Sequence, residues 1–252
     1  MKNRIIIGLG EVGSALAQLE DDNAKKNHVN VLKHDPQKGL YVPKKLGNVS
    51  VLHICIPYSN NFVKTVVGYI NDYQPSLTII HSTVKMGTTR KIIDKVNKPN
   101  LMIVHSFVRG IHPQLVEGLV TFEKVIGSDI YEASVAGHDI LRSIGIKNIV
   151  IYSISESELA KLLCTTYYGW NILFAKEVNK LCKKYDLDYY NVYTRTNQTY
   201  NKGYIALGKP NVVRPILQPP VGRVGGHCIV PNFHLLPNSW LKFASVFLEK
   251  IK

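Results

Sequence analysis

The sequence has little cysteine and no long apolar segment. Its four cysteines are scattered among 252 residues without a CxxC pair, which excludes a disulfide framework and is typical of a reducing compartment. Cys55, Cys164 and Cys182 lie in strand-like or helix-like runs, where we expect small core residues. The apolar runs are far shorter than the ~20 residues that span a bilayer, and no small-residue cleavage site follows the apolar start. We therefore expect a cytoplasmic protein without a membrane partner.

Basic residues are in excess, but they form no block. The chain has 31 lysines and arginines against 18 acidic residues, a formal net charge of +13. Such a surface attracts phosphates and nucleic acid, yet the charges are spread along the whole chain. This favours a solvated basic surface over a nucleic-acid partner. His81, His105, His112 and His227 show no paired ligand spacing, so no metal site is predicted.

The first 150 or so residues alternate strand-like and helix-like segments. Apolar β-branched runs separated by helices predict an α/β fold, a Rossmann-like doubly wound and mostly parallel sheet. The predicted strands are residues 4–7, 29–33, 51–56, 77–81, 101–105, 124–127 and 148–151. The predicted helices between them are residues 11–19, 61–72, 88–97 and 130–144.

After this the pattern changes to one long helix, predicted over residues 155–185 with a capping box of Ser155 and Glu158. Apolar residues on one side, among them Leu162, Phe174 and Leu181, and a face opposite that is not plainly polar predict a helix packed on both sides. We expect a homodimer through this helix. A shorter helix at 187–199, a Gly/Pro-rich loop at 203–231 and a final helix at 233–251 follow. The predicted domains are 1–153, binding NAD, and 154–252, a small helical domain for dimerisation and catalysis.

A GxGxxG motif, Gly8 to Gly13, lies between the first strand and the first helix. Gly8 permits a tight turn, Gly10 lets the backbone approach a pyrophosphate, and Gly13 lets the helix pack against the strand. Asp35 ends the second strand, where a carboxylate binds the adenosine ribose and favours NAD over NADP. S-adenosylmethionine is the alternative ligand of such a site. The predicted cofactor contacts here are Gly8, Gly10, Glu11, Val12, Gly13 and Asp35.

A cysteine stands in a second glycine-rich segment, residues 222–232, near the end of the sequence. This segment contains GGHC at 225–228. Three further motifs precede it in a fixed order: ICIP at 54–57, STV at 82–84 with GTT at 87–89, and ELAKL at 158–162. Together with the GxGxxG motif, they make the chain resemble the nucleotide-sugar 6-dehydrogenases, the family of UDP-glucose and UDP-N-acetylmannosamine dehydrogenases.

The resemblance implies oxidation of a primary alcohol by NAD to an aldehyde held on a cysteine, then to a thioester that water hydrolyses. Cys228 matches the nucleophile, and Lys161 matches a helix lysine that stabilises an alkoxide or thiohemiacetal oxygen and favours the thiolate. Further contacts are predicted to the cofactor from Pro57, Ser82 and Thr83, and to the substrate from Gly225 and Gly226. Arg109 and His112 follow a strand end, where they are expected to bind an anionic substrate group or to belong to an ordinary solvated loop.

Four departures from the family pattern leave alternatives open. Thr165 and Asn232 stand where the family has Asn and Asp, and an amide cannot act as the general base that a carboxylate can. Asn232 is also a candidate N-cap for the final helix. Gln114 replaces a glutamate, and we expect the family's C-terminal domain to be missing because the sequence ends soon after Cys228. The alternatives to a dehydrogenase of a nucleotide sugar or smaller anionic alcohol are a catalytically reduced relative that binds NAD(H) and a transferase that uses S-adenosylmethionine.

Overall fold

The structure is a computed structural model that describes residues 1–44, 46–219, 226–238 and 240, with the backbone alone at 226–228. The chain divides into two compact units, Met1–Lys161 and Leu162–Lys252. Within the described residues, no helix is long and apolar enough to cross a membrane. The predicted domain boundary after residue 153 stays a prediction.

The first unit contains a seven-stranded sheet of order β2-β1-β3-β4-β5-β6-β7. All neighbouring pairs are parallel except β5 and β6, which are antiparallel. The predicted α/β fold with a mostly parallel sheet is therefore confirmed. The strands are β1 Lys2–Ile7, β2 Val29–His34, β3 Val49–Ile54, β4 Leu77–Ile80, β5 Ile103–His105, β6 Lys124–Gly127 and β7 Ile149–Tyr152.

Helices cover both faces of this sheet, as the near-continuous apolar strands require. The helices are α1 Glu11–Asn27, α2 Phe62–Tyr73, α3 Thr88–Val96, α4 Leu115–Thr121 and α5 Tyr131–Ser143. Two buried cores result, one on each face: Ile70 and Ile92 pack on the α2–α3 side, and Leu16, Leu119 and Leu141 on the α1–α4–α5 side. Helix α4 was not among the predicted helices.

The long helix α6, Ile154–Lys184, begins one residue before the prediction, but its capping box was wrong. Glu156 accepts a hydrogen bond from the Ser153 N–H (2.7 Å), and the Ser153 hydroxyl accepts from the Glu156 N–H (3.2 Å). The Ser-x-x-Glu pattern occurs twice, two residues apart, and the earlier copy caps the helix. Glu158, in the later copy, is completely buried and has a different partner.

The second unit contains the remainder of α6, a π-helical turn Tyr190–Arg195, α7 Thr196–Ala206 and α8 Gly226–Phe233. Its core joins α6 and α8 through Leu162, Leu173, Ile229, Phe233 and Leu236.

Several predictions for the second unit are wrong in detail. Phe174 and Leu181 do not share the buried face of Leu162 but are exposed, and so is Cys164. Helices occupy both ends of the predicted loop 203–231, whose residues 220–225 lie outside the described part. The predicted final helix at 233–251 does not begin at Phe233, where α8 ends, and its residues 241–251 lie outside the described part as well.

Candidate active site

The glycine loop, residues 8–13, connects β1 to α1 at the carboxyl edge of the sheet. Gly8 has a positive φ of +87°, and a Cβ there would lie 3.0 Å from the Cys55 carbonyl oxygen. A Cβ on Gly13 would overlap the Gly8 carbonyl oxygen. At Gly10, by contrast, a Cβ would meet nothing within 4 Å. Two glycines are thus required by packing, and the third leaves open space at the N-terminus of α1, where anions bind.

Asp35 holds this loop from the end of β2. Its carboxylate accepts hydrogen bonds from the Leu9 N–H at 2.8 Å and from the Gln37 N–H at 3.1 Å. Each carboxylate oxygen keeps acceptor capacity for a hydroxyl group. Lys38, which the sequence interpretation missed, donates to the Leu9 carbonyl oxygen at 2.6 Å. In the sequence, only the position of Lys38 three residues after Asp35 could have indicated this contact.

A cleft of about 400 Å³ opens beside the loop. Its lining includes Gly10, Glu11, Ser14, Lys38 and His112. His112 is therefore near the predicted cofactor site. Arg109 is also among the described residues, but it does not line this cleft.

The Arg109 side chain has other contacts. It donates to the Glu123 carbonyl oxygen, and its guanidinium lies 5.9 Å and 5.7 Å from the ring centroids of Phe107 and Phe122. These contacts hold the side chain over its own loop. The prediction that Arg109 binds an anionic substrate gains no support from this position.

The predicted cofactor contacts after β3 and β4 belong to adjacent loops. Pro57 is exposed just beyond β3, and Thr83 is half-buried. The Ser82 hydroxyl is buried and donates to the Ile56 carbonyl oxygen at 2.6 Å. Ser82 thus connects the two loops.

A chain of buried, hydrogen-bonded polar side chains crosses the sheet from β1 to β6. Glu20 bonds to Arg4 at 2.8 Å and to His53 at 3.0 Å, and His53 bonds to His81 at 3.0 Å. His81 and Lys124 both hydrogen-bond the Ser106 carbonyl oxygen, at 2.9 and 2.6 Å. Because the Ser106 carbonyl oxygen can only accept, His81 donates to it and accepts from His53 through its other ring nitrogen. One proton is then shared between His53 and Glu20 in their hydrogen bond. His81, a candidate metal ligand by residue type, is thus part of a satisfied network.

Burial controls the ionisation of this chain. Burial raises the pKa of Glu20, but the bonds and charges of His53 and Arg4 outweigh it and leave that pKa below its usual value. Burial lowers the pKa of His81 well below 6.5, with Lys124 adding to the effect, and lowers the pKa of Lys124 itself. The network is therefore structural, since its groups are out of reach of a ligand.

The first turns of α6 are fixed by β5 and by the segments that follow β4 and β5. The Ser157 hydroxyl lies 2.8 Å from His105 Nδ1, and burial lowers the pKa of His105 to about 3. Glu158 accepts from the N–H groups of Gly87 (2.5 Å) and Thr89 (2.8 Å). Lys161 donates to the Val108 carbonyl oxygen at 2.9 Å. The described residues include no group of three or more His, Cys, Asp or Glu side chains that could hold a metal ion.

In the second unit, two of the predicted catalytic residues are in contact. Asn232 is buried in the last turn of α8 and donates to the Thr165 hydroxyl on α6 at 3.2 Å. The N-cap interpretation of Asn232 is therefore wrong. Cys228 precedes Asn232 by one turn of α8, and Gly226 is the first residue of that helix. Gly225 lies outside the described residues.

Residues 155–242 match the UDP-glucose/GDP-mannose dehydrogenase family, central domain. This match and the relatives make the chain similar to the nucleotide-sugar dehydrogenases, the resemblance that the sequence motifs indicated. The UDP-N-acetyl-D-mannosamine dehydrogenase of Methanococcus maripaludis is 26% identical over 174 residues, which make up 69% of this chain. The chain spans only 37% of that relative's length.

Two solved structures show the same fold. A UDP-D-ManNAc dehydrogenase from Pyrococcus horikoshii has a TM-score of 0.71 at 18% identity, covering 93% of this chain and 63% of its own. A 3-hydroxyisobutyrate dehydrogenase from Mycobacterium tuberculosis, with L-serine, has a TM-score of 0.67 at 14% identity, covering 98% of this chain and 88% of its own.

Proposed function

We propose that the protein oxidises an alcohol with NAD and that the substrate is a nucleotide sugar or a smaller anionic alcohol. The observation that carries this proposal is the glycine loop, in which Gly8 and Gly13 are required by packing while Gly10 leaves space above the start of α1. The similarity to nucleotide-sugar dehydrogenases supports the same chemistry.

The residues present fit a dinucleotide. The N–H groups at the start of α1 would receive the pyrophosphate. Asp35 would bind the ribose hydroxyls through its remaining acceptor capacity, and the loops of Pro57 and Thr83 would line the path beyond. Bound NAD supplies a hydride acceptor. The Lys38 ammonium would offset the negative charge of Glu11 at the mouth of the cleft.

We propose that Cys228 acts covalently. Loss of a hydride and a proton converts the alcohol carbon to an aldehyde. The Cys228 thiolate then adds to that carbon, forming a carbon–sulfur bond and an oxyanion that the Lys161 ammonium would stabilise. Transfer of a second hydride to a second NAD would give a thioester, and water would then release the carboxylate and the free thiol.

The contact between Thr165 and Asn232 joins two positions at which this sequence departs from the family pattern. Neither side chain is a carboxylate, so neither can act as the general base that activates the water. We therefore propose slow hydrolysis of the thioester, or a reaction that ends after one oxidation. A relative that only binds NAD(H) is the second candidate, favoured by the same pair.

We also propose a homodimer through α6. Tyr167, Phe174 and Leu181 are exposed and recur every seven residues, which places them in one stripe along the helix. A repeat of this kind on a long helix is typical of a seam between two helices. Light scattering that gives a monomer mass at micromolar concentration would refute the dimer.

The test begins with calorimetric titration of NADH, NADPH and S-adenosylmethionine. We expect saturable NADH binding, and binding of S-adenosylmethionine alone would exclude the proposal. NADH formation is then measured with UDP-N-acetyl-D-mannosamine, UDP-glucose and 3-hydroxyisobutyrate. The Cys228→Ala variant should lose the second oxidation, while the matched Cys164→Ala variant, at an exposed cysteine of α6, should not change.

A further inference from the structure

We infer that Glu158 is a positioning residue, which ties the loop of residues 82–87 to the turn of α6 that carries Lys161. The Glu158 side chain is completely buried. Its two carboxylate oxygens accept from two different backbone N–H groups, Gly87 at 2.5 Å and Thr89 at 2.8 Å. This one side chain therefore joins the start of α3 to α6.

Helix α3 needs this contact because it has no cap of its own. Its N-cap residue is Gly87, with φ +84°, and no side chain at that position can accept a hydrogen bond. The first N–H groups of a helix have no partner within the helix. Glu158 supplies the acceptor from another helix, and its negative charge is placed at the favourable end of the α3 dipole.

The other end of the loop is also fixed. The Ser82 hydroxyl donates to the Ile56 carbonyl oxygen, and the Ser82 carbonyl oxygen accepts from His105 at 3.2 Å. His105 in turn bonds to Ser157, the residue before Glu158. Consecutive residues of α6 therefore hold both ends of the loop.

Lys161 follows Glu158 by three residues, almost one helical turn. The Lys161 ammonium donates to the Val108 carbonyl oxygen in the loop after β5. A second connection lies nearby: Asp129 bonds to Arg90 of α3 and accepts from the Ile154 N–H at 3.1 Å. The start of α3 and the first turns of α6 thus form one connected assembly within the first unit.

The Glu158 carboxylate is buried at a cost to the stability of the folded protein, so a stabilising role alone does not explain its position. Burial raises the pKa of Glu158 above its ordinary value, although the N–H groups of Thr89 and Gly87 oppose the shift. The folded protein therefore holds the ionised form at a net cost. A capping residue cannot replace Gly87 without strain, because its φ of +84° lies in a region that other residues rarely adopt.

The functional meaning rests on the proposed function, which assigns the loop of Thr83 to the cofactor and Lys161 to catalysis. Under that assignment, Glu158 makes the cofactor loop and the catalytic ammonium move together. Replacing the carboxylate by an amide leaves one acceptor and turns an NH₂ group toward the other N–H, so the two parts should separate.

The experiment compares Glu158→Gln with Glu156→Gln, a matched change two residues earlier on the exposed cap of the same helix. Three quantities are measured: amide exchange at residues 87–89, the acetylation rate of Lys161 relative to exposed Lys147, and NADH affinity. In Glu158→Gln, amide exchange should rise about 10-fold or more, and Lys161 acetylation should change about threefold. NADH affinity should fall about fivefold. The control should stay within about twofold in all three.

Faster exchange without a change at Lys161 or in NADH affinity would make Glu158 a simple helix cap and overturn the inference. Three unchanged quantities would also overturn it. If the wild-type protein binds no NADH, the proposed function fails, while amide exchange and Lys161 acetylation still decide whether Glu158 couples the two segments.

Discussion

A methyl group added at Gly10 should separate cofactor binding from folding. Gly10 has φ −67°, which alanine adopts readily, and its Cβ would meet no atom within 4 Å. Alanine is a poorer N-cap than glycine by a few tenths of a kcal/mol or more, but it gains about 0.4–1 kcal/mol from the lower entropy of the unfolded chain. The two effects nearly cancel, so the melting temperature should change by only about 2–4 °C or less.

Cofactor affinity should respond much more strongly. The Cβ would occupy the space through which a pyrophosphate approaches the N–H groups of α1. Each hydrogen bond to a charged group contributes about 1.5–3 kcal/mol. Loss of one such bond corresponds to an affinity about 10–100-fold weaker. Fluorescence titration with NADH measures this loss, and thermal unfolding of the same sample measures stability.

Gly13→Ala is the comparison variant. Its Cβ would overlap the Gly8 carbonyl oxygen, a backbone atom that cannot turn away. Overpacking of this kind costs about 1–3 kcal/mol or more, so this variant should lose stability as well as affinity. A folded Gly10→Ala variant that binds NADH within twofold of the wild type would refute the assignment of this loop to a dinucleotide.

Three further predictions follow from the structure. Because burial lowers the pKa of His105 to about 3 and that of His81 well below 6.5, the unfolded chain alone takes up these protons as the pH falls below 6.5. Urea unfolding should show up to about 1.4 kcal/mol lost per pH unit for each histidine. The raised pKa of Glu158 acts in the opposite direction, so Glu158→Gln should steepen the loss, and a flat wild-type profile would contradict the burial argument. Asn232→Asp supplies a carboxylate beside the Thr165 hydroxyl and should speed thioester release about 100-fold in a single-turnover assay, whereas an unchanged rate would show that this position does not activate water. Phe174→Glu puts a charge into the exposed stripe of α6 and should give a monomer in light scattering, and an unchanged dimer mass would place the interface elsewhere.

The sequence predicted the first unit well because its signals are local. The apolar strands and the GxGxxG spacing each depend on a few neighbouring residues, and the sheet and the tight packing of Gly8 and Gly13 follow from them. The family resemblance was also recoverable, since its motifs are short and ordered.

Contacts between distant segments were not predictable in the same way. Two overlapping Ser-x-x-Glu patterns start α6, and only the packing of Glu158 on Gly87 and Thr89 shows which one caps the helix. The buried chain from Glu20 to Lys124 joins residues that are far apart in sequence and share no motif. Arg109 resembled an anion-binding residue, but its aromatic neighbours engage it instead.

Mass spectrometry of the Cys228 peptide during turnover would show whether this cysteine reacts with the substrate. The protein is mixed with NAD and an active alcohol, quenched in acid and digested. We expect an acyl or thiohemiacetal adduct on Cys228 that requires NAD, builds up before carboxylate is released, and persists because Asn232 is a poor base. NADH formation that continues undiminished in the Cys228→Ala variant, with no adduct in the wild type, would contradict it.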